Sequence, residues 1–484
     1  MGNNVASSFL WKFFERGSSQ IITMIIQIIL ARILLPRDFG VLAIILVFVN
    51  LASIFVQKGF ASSLVRKKNT SEQDYNTVFV ISEGIALLFI IIIFLVAPLI
   101  AAFYNNHEII LYLRVLSLSL LFGAFYSIQN AILIRNMKFK IIFYSSLSAT
   151  IISGLLGIIA AYSELGIWAL IIQTLSQQIV LCIATFAVCD WRPKIEFSRE
   201  SFENIFSFGS KILVAELISI GVEDLRTLII GKKFSSTDLA YYDRGQYYPS
   251  ATMRGIYDTI ASVMLPVLSR EQDCLSKLAK TLEKSLCLSI FIVTPLYVGL
   301  AAVADIFIPV LLTEQWNESI PYLRIFCIYQ LAFPIYGIMR QCLYALGNSS
   351  AVLKLEIVRG ILFIAAIIFG CFFDTFMIAI ASTIALYTTT AMYVFKVNND
   401  THFDFIHVAR NIFITLMQSA IMYAAIIAFN QIDISKVLLL VLDIILGCGI
   451  YIGLSVIMKN GMLFVIVDFL KKEREMKGKN GIRK

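Results

Sequence analysis

The sequence predicts an all-α integral membrane protein, on three observations. Of its 484 residues 59% are hydrophobic and 15% charged, against about 25% charged in a soluble domain. Apolar segments recur from end to end, each near the roughly 20 residues a helix needs to cross the hydrocarbon. Lys and Arg gather on alternate connections between those segments, the asymmetry expected of cytoplasmic loops. No stretch between the apolar segments is long enough to carry a soluble enzyme domain. The net charge of +8 then follows from cytoplasmic loops and does not call for nucleic acid.

Cutting at charge and turn clusters predicts about fourteen transmembrane spans, near 9–33, 39–60, 76–103, 110–134, 141–162, 166–189, 206–230, 239–267, 282–303, 321–345, 354–373, 375–396, 408–429 and 436–458. The first opens with charges and is long, so it is expected to remain as a helix and not to be cleaved. One set of connections carries Lys12, Arg16, Arg66, Lys67, Lys68, Arg135, Lys138, Lys140, Arg192, Lys194, Arg199, Arg270, Lys277, Lys280 and the tail Lys459–Lys484. The other carries little beyond Arg32, Arg37, Lys232, Lys233 and Lys436. Both termini are therefore expected in the cytoplasm.

A repeat organises these spans. Arg32–Gly40 reads RILLPRDFG and Lys232–Ala240 reads KKFSSTDLA, each with a basic residue six before an Asp at a helix–helix turn. Tyr112-Leu113-Arg114 opens span 4 and Tyr322-Leu323-Arg324 opens span 10. Spans 1–6 thus correspond to spans 7–12, an even-numbered, parallel pseudo-repeat. The expected domains are a six-helix bundle over 1–189, a basic linker over 190–205, a second six-helix bundle over 206–396, two extra helices over 397–458 and a basic tail over 459–484. Asp38 and Asp238 are expected to cap the helices that follow them.

Polar residues spaced by three, four and seven share a helix face. Span 1 carries Lys12, Arg16, Gln20, Thr23 and Gln27; span 2 carries Asn50, Ser53 and Gln57. Span 7 carries Glu216, Glu223 and Arg226 with Asp224 beside them; span 8 carries Arg244, Tyr248, Arg254 and Asp258. A charged residue at a helix centre costs roughly 2.5–3.5 kcal/mol on an insertion scale, so four such stripes are expected around water, not lipid. Each has a plainer reading beside it. Arg16 and Lys12 lie within two turns of a helix end and could snorkel; Glu223 with Arg226 could be a structural ion pair. Arg114 and Arg324 are read as anchors at the outer surface, and Tyr241, Tyr242, Tyr247 and Tyr248 as an interfacial belt in which the last two reach deep enough to stack on a sugar. The eight cysteines are scattered with no metal spacing and the three histidines form no cluster, so neither a metal nor a cofactor is expected. There is no phosphate-binding P-loop.

Seven segments, LARILLPRDFGVLAI (30–44), KGFASSLVRKKNTSEQD (58–74), LGIWALIIQ (165–173), WRPKIEFS (191–198), DLRTLIIGKKFSSTDLAYYDRG (224–245), LPVLSREQ (265–272) and LLTEQWNESIPYLRIFCI (311–328), resemble the polysaccharide transporter family of bacterial flippases, within the multidrug/oligosaccharidyl-lipid/polysaccharide (MOP) exporter superfamily. They spread over most of the first 350 residues; the last hundred or so match only in hydrophobicity. The resemblance implies the MOP flippase fold, with helices 1, 2, 7 and 8 lining a cavity. It implies translocation of undecaprenyl-pyrophosphate-linked oligosaccharide across the bacterial cytoplasmic membrane, for O-antigen, capsule or exopolysaccharide. Arg16, Arg226, Arg244 and Arg254 are then expected to hold pyrophosphate. Gln20, Gln27, Asn50, Gln57 and Tyr248 are expected to contact sugar or line the water path. Glu216, Glu223, Asp224 and Asp258 are the candidates for coupling to a proton or sodium gradient. Membrane lipids and the polymerase and export proteins of such a pathway are the further partners expected. Two other classes remain open: a cation-coupled small-molecule exporter of the same superfamily, and a membrane polymerase or glycosyltransferase. Short outer loops without a His or acidic catalytic motif, together with the duplication, weigh against the enzyme.

Overall fold

A computed structural model describes residues 19–66, 70–432 and 434–464. Every regular element among them is helical. In chain order they are α1 (Ser19–Ile33), α2 (Pro36–Ser53), α3 (Gly59–Arg66), α4 (Glu72–Tyr104), α5 (Ile109–Ser117), α6 (Ser119–Arg135), α7 (Phe139–Tyr162), α8 (Ile167–Val188), α9 (Arg199–Lys233), α10 (Ser236–Arg270), α11 (Leu275–Ala302), α12 (Ala304–Leu312), α13 (Ile320–Leu331), α14 (Phe333–Ala345), α15 (Ser349–Gly370), α16 (Thr375–Thr401), α17 (Phe405–Phe429) and α18 (Lys436–Ile457). Ten described segments are long and apolar enough to cross a membrane. The long helices outside that set are α9, α10 and α15, the ones that carry charge in their interiors.

Local chemistry sets many of the boundaries. Ser71 accepts from the Asp74 amide and Asp74 answers to the Ser71 amide at the start of α4, a reciprocal cap. Side chains of Ser198, Asn348, Asp374, Asp404 and Ser435 each accept from a first-turn amide. Asp38 accepts the Leu35 amide from inside the first turn of α2, at 3.3 Å. In the matching joint Ser235 is the cap, accepting the Asp238 amide at 3.0 Å, and its hydroxyl donates to Asp238 at 2.6 Å. So both acidic residues sit one turn inside the helices: Asp38 answers the Leu35 amide as expected, whereas Ser235, and not Asp238, caps the second copy.

The chain forms two compact units, one ending at Ala240 and the other beginning at Tyr241. In the first, α7 and α8 form a close hairpin. The α7 face toward the interior is built of Ala149, Ser153, Gly154, Gly157, Ala160 and Ala161, small residues that let helix backbones approach where lipid removes the hydrophobic drive to associate. Leu95, Leu99 and Ile159 are well exposed, as apolar side chains turned toward lipid should be. Helix α9, expected to open the second bundle, packs in this unit against α2, α3 and α4. Tyr104 donates to the Leu228 carbonyl at 3.1 Å, and Lys232 donates to the Phe103 carbonyl while lying over its ring.

The preceding linker is strapped to the same unit. Asn76 is fully buried. Its amide donates to Glu196 at 2.9 Å, and its oxygen accepts from the Trp191 indole and the Lys194 amide at 3.1 and 3.3 Å. Thr77 accepts the Ser198 amide at 3.1 Å. Trp191 and Ile205 then join Phe60, Leu64, Val78 and Ile128 in one core cluster.

In the second unit α11 packs on α17, α15 on α16, and α13 and α14 on α16. The last two spans are joined by polar groups: Asp443 is fully buried, and Asn430 offers its amide nitrogen to both carboxylate oxygens, at 2.7 and 3.0 Å. The Tyr451 hydroxyl donates to the Phe291 carbonyl at 2.8 Å. The two YLR arginines share a role the sequence reading missed. Arg114 donates to the Phe94 carbonyl at 3.1 Å, and Arg324 to the Ala301 carbonyl at 3.4 Å. Arg114 clips α5 to the flank of α4 and Arg324 clips α13 to the end of α11, and Arg324 also pairs with Asp305 at 2.5 Å.

Candidate functional site

In the first unit the expected polar stripes are only partly kept. Arg16 lies outside the described residues, as does the side chain of Glu216. Gln20 and Asn50 are exposed. Gln27, half-buried on α1, donates to the Gln173 side chain of α8 at 3.4 Å, which turns it into the unit. The α2 stripe is broken by a wide i→i+5 turn over Ile54–Lys58. An extra residue in the turn shifts everything beyond it by about 100° around the axis. Gln57 therefore leaves the line of Asn50 and Ser53. Its amide lies over Gly123 of α6, close enough that a Cβ on that glycine would fall 2.1 Å from Nε2. On α9, Glu223 is exposed while Asp224 and Arg226 are half-buried, and the Asp224 carboxylate lies in electrostatic reach of both.

The same unit holds a carboxylate that sequence reading passed over. Glu83, half-buried on α4, has an oxygen shielded from solvent with no hydrogen-bond donor among the described residues, close to Cys182 of α8. Gln129 and Thr185 lie buried on neighbouring helices, joined by a 2.5 Å hydrogen bond. A single acidic residue in a long apolar helix makes no stripe, so periodicity gives it no weight.

In the second unit Arg244 is held inside the protein, 6% exposed. Its guanidinium lies 5.4 Å from the ring centre of the fully buried Trp316 and 5.7 Å from that of Tyr247. Aromatic faces attract such a cation, more strongly once water is excluded. Tyr248, 3% exposed, packs edge-on against Tyr247 and Phe307. Tyr242 is fully buried between Tyr322 and Phe326. Two of the four tyrosines read as a belt are thus core residues, because α10 runs hard against α13. A Cβ at Gly245 would meet the Tyr322 side chain at 2.4 Å and the Leu323 amide at 2.8 Å. Arg254 is exposed, and the Asp258 side chain lies outside the described residues.

A second charged cluster, not singled out from the sequence, sits on α14, α15 and α16. Glu356 accepts from the hydroxyls of Tyr336 and Tyr393 on one oxygen, at 2.6 and 2.8 Å, and from Arg359 on the other, at 2.8 Å. Arg340 donates to the Tyr336 hydroxyl at 3.0 Å. The signal was present: Glu356 and Arg359 stand three apart on one face of span 11, and Arg340 lies inside span 10. The cluster was missed because attention to repeated stripes favoured spans 1, 2, 7 and 8, whereas here each helix supplies one or two groups and only folding assembles them.

Residues 29–321 match the family described as polysaccharide biosynthesis protein. The lipopolysaccharide biosynthesis protein WzxC of Escherichia coli (strain K12) is 24% identical over 348 residues, 71% of this chain and 70% of that one. The succinoglycan biosynthesis transport protein ExoT of Rhizobium meliloti (strain 1021) is 22% identical over 348 residues, 71% of this chain and 69% of its own. Among solved structures, the lipid II flippase MurJ in an inward closed conformation superposes with a TM-score of 0.73 at 19% identity, over 95% of this chain and 100% of that one. An inward-facing multidrug resistance MATE transporter of the MOP superfamily gives 0.59 at 15% identity, over 78% and 95%. The fold is that of the MOP superfamily, and the chain is a multi-pass membrane protein.

Proposed function

The chain belongs to the polysaccharide biosynthesis protein family, and from that premise we propose that it is a flippase for undecaprenyl-pyrophosphate-linked oligosaccharide in a bacterial cytoplasmic membrane, with both termini cytoplasmic. The observation that carries this reading is the match to curated relatives named for polysaccharide biosynthesis and transport over about 70% of both chains. The fold shared with a lipid II flippase is consistent with it. Transport, not catalysis, is the activity proposed. The two bundles of the sequence repeat move as the two halves of an alternating-access carrier.

The chemistry asks for cations and polar groups within apolar helices. A pyrophosphate and sugar hydroxyls cross hydrocarbon only when their charges and hydrogen bonds are met by protein or water. Arg binds phosphate oxygens in a bidentate manner. Arg16, Arg226, Arg244 and Arg254 serve the pyrophosphate, with Arg226 and Arg254 the more accessible and Arg244 held in register by Trp316 and Tyr247. Gln20, Gln27, Asn50, Gln57 and Tyr248 serve sugar or the water path; Glu216, Glu223, Asp224 and Asp258 couple transport to a proton or sodium gradient.

The test is the pool of undecaprenyl-linked sugars in a deletion strain. Completed units accumulating on the cytoplasmic side, with surface polymer lost, are expected. Completed but unpolymerised units outside would make the protein a polymerase; an unchanged pool would overturn the flippase reading in favour of small-molecule export. Arg226→Gln and Arg244→Gln, at wild-type protein levels, are each expected to abolish complementation.

A further inference from the structure

The cluster on α14–α16 contains two guanidinium groups and one carboxylate, and that carboxylate is fully used. Glu356 already accepts three hydrogen bonds, one of them from Arg359. Arg340 is left with a neutral acceptor, the Tyr336 hydroxyl. Its Nε is shielded from solvent with no acceptor among the described residues. The Tyr257 hydroxyl of α10, which faces Arg340, Glu356 and Arg359, is likewise shielded and without a partner. The rings of Tyr336 and Tyr344 lie 5.9 and 5.8 Å from the Arg340 guanidinium. The other ion pair close by is closed on itself, Lys396 with Asp400 at 2.8 Å, and Lys354 on α15 is exposed and adds positive charge.

Among the described residues the cluster thus holds two cations to one carboxylate, and Arg340 reaches that carboxylate only through space, without a hydrogen bond to it. Aromatic faces and one neutral hydroxyl recover only part of what a guanidinium loses on leaving water. An anion offered to the free edge of the fork would close the difference, and a phosphate oxygen pair matches that edge.

We propose that Arg340, with the Tyr257 hydroxyl beside it, is a second anion-binding point, which takes a phosphate group of the prenyl-pyrophosphate carrier. This rests on the flippase reading. Arg340 lies five residues from the end of α14, about 8 Å along the axis, at the end that charge asymmetry assigns to the cytoplasm. It is therefore a loading point near the cytoplasmic face. Arg359 and Glu356 are positioning residues: Arg359 takes one oxygen of the carboxylate and the two tyrosine hydroxyls the other, so Glu356 makes no hydrogen bond to Arg340.

The experiment uses the full chain in phosphatidylcholine nanodiscs and measures affinity for farnesyl pyrophosphate, for farnesol and for inorganic pyrophosphate. Arg340→Gln is expected to weaken farnesyl pyrophosphate at least tenfold and leave farnesol unchanged. Tyr257→Phe is expected to weaken it about threefold, and Arg340→Lys to retain part of the affinity. Wild-type affinity in Arg340→Gln and Tyr257→Phe would overturn the site, and equal wild-type affinity for inorganic pyrophosphate would overturn its assignment to a lipid. If Arg340→Gln does not fold, Arg340→Lys and Tyr257→Phe decide. Failure here with completed lipid-linked units still accumulating in the deletion strain removes this subsite alone; an unchanged lipid pool in that strain removes the flippase reading itself.

Discussion

At the scale of single residues, contacts too close for any side chain mark where the fold tolerates least. A Cβ on Gly40 would fall 1.6 Å from the Ser236 carbonyl oxygen, so the two helix–helix joints of the repeat meet backbone to backbone. Gly40→Ala must move a backbone, and overpacking of this kind costs about 1–3 kcal/mol. Gly84, with nothing near its Cβ position, is the matched control. Gly40→Ala is expected to lower the melting temperature in detergent, and Gly84→Ala to leave it unchanged or slightly raised; equal behaviour would discredit the joint-to-joint contact. Glu356 gives a second case. Glu356→Gln strips the charge that holds Arg359 in a half-buried pair, which costs less than breaking a fully buried one. A marked loss of thermal stability is expected, recovered in part by Glu356→Gln with Arg359→Gln. A single variant as stable as wild type would mean that water or lipid headgroups already satisfy the arginine.

At the scale of elements, the linker 190–198 acts as a strap. It has no regular structure, yet its backbone and side chains end on Asn76 and Thr77 of α4. Asn76→Ala would leave the buried Trp191 indole N–H without its acceptor, at about 1–3 kcal/mol, and release the exposed Glu196 to water. Tryptic cleavage after Lys194 is expected to quicken several-fold in that variant. Unchanged cleavage would mean that Trp191 and Ile205, through their apolar contacts, suffice to hold the strap. The wide turn at Ile54–Lys58 shows a different limit. Its one-residue phase shift moved Gln57 off the face that sequence spacing assigned it, and spacing carries no sign of such a turn, because its cause is how α2 and α3 seat against α6 and α9.

At the scale of the whole molecule, orientation follows from charge and has a direct check. Cys274 is exposed in the turn between α10 and α11, on the side expected to be cytoplasmic. In a variant that keeps only this cysteine, a membrane-impermeant maleimide is expected to react after permeabilisation and not in intact cells. Labelling of intact cells would invert the topology and with it the loading side assigned to Arg340.

The sequence by itself determined the all-helical membrane class and the family, because hydropathy, charge asymmetry and turn motifs are local quantities written along one chain. It also marked α9 and α10 as charged helices, though not α15. Only the tertiary structure decided that Arg244 and Tyr248 are enclosed by aromatic neighbours, that Gln57 and Gln27 turn to α6 and α8, and that Arg340, Glu356, Arg359, Tyr336 and Tyr393 form one cluster. These depend on which faces of distant helices meet. In a bilayer that choice is made by close packing and polar pairing, to which apolar periodicity is blind.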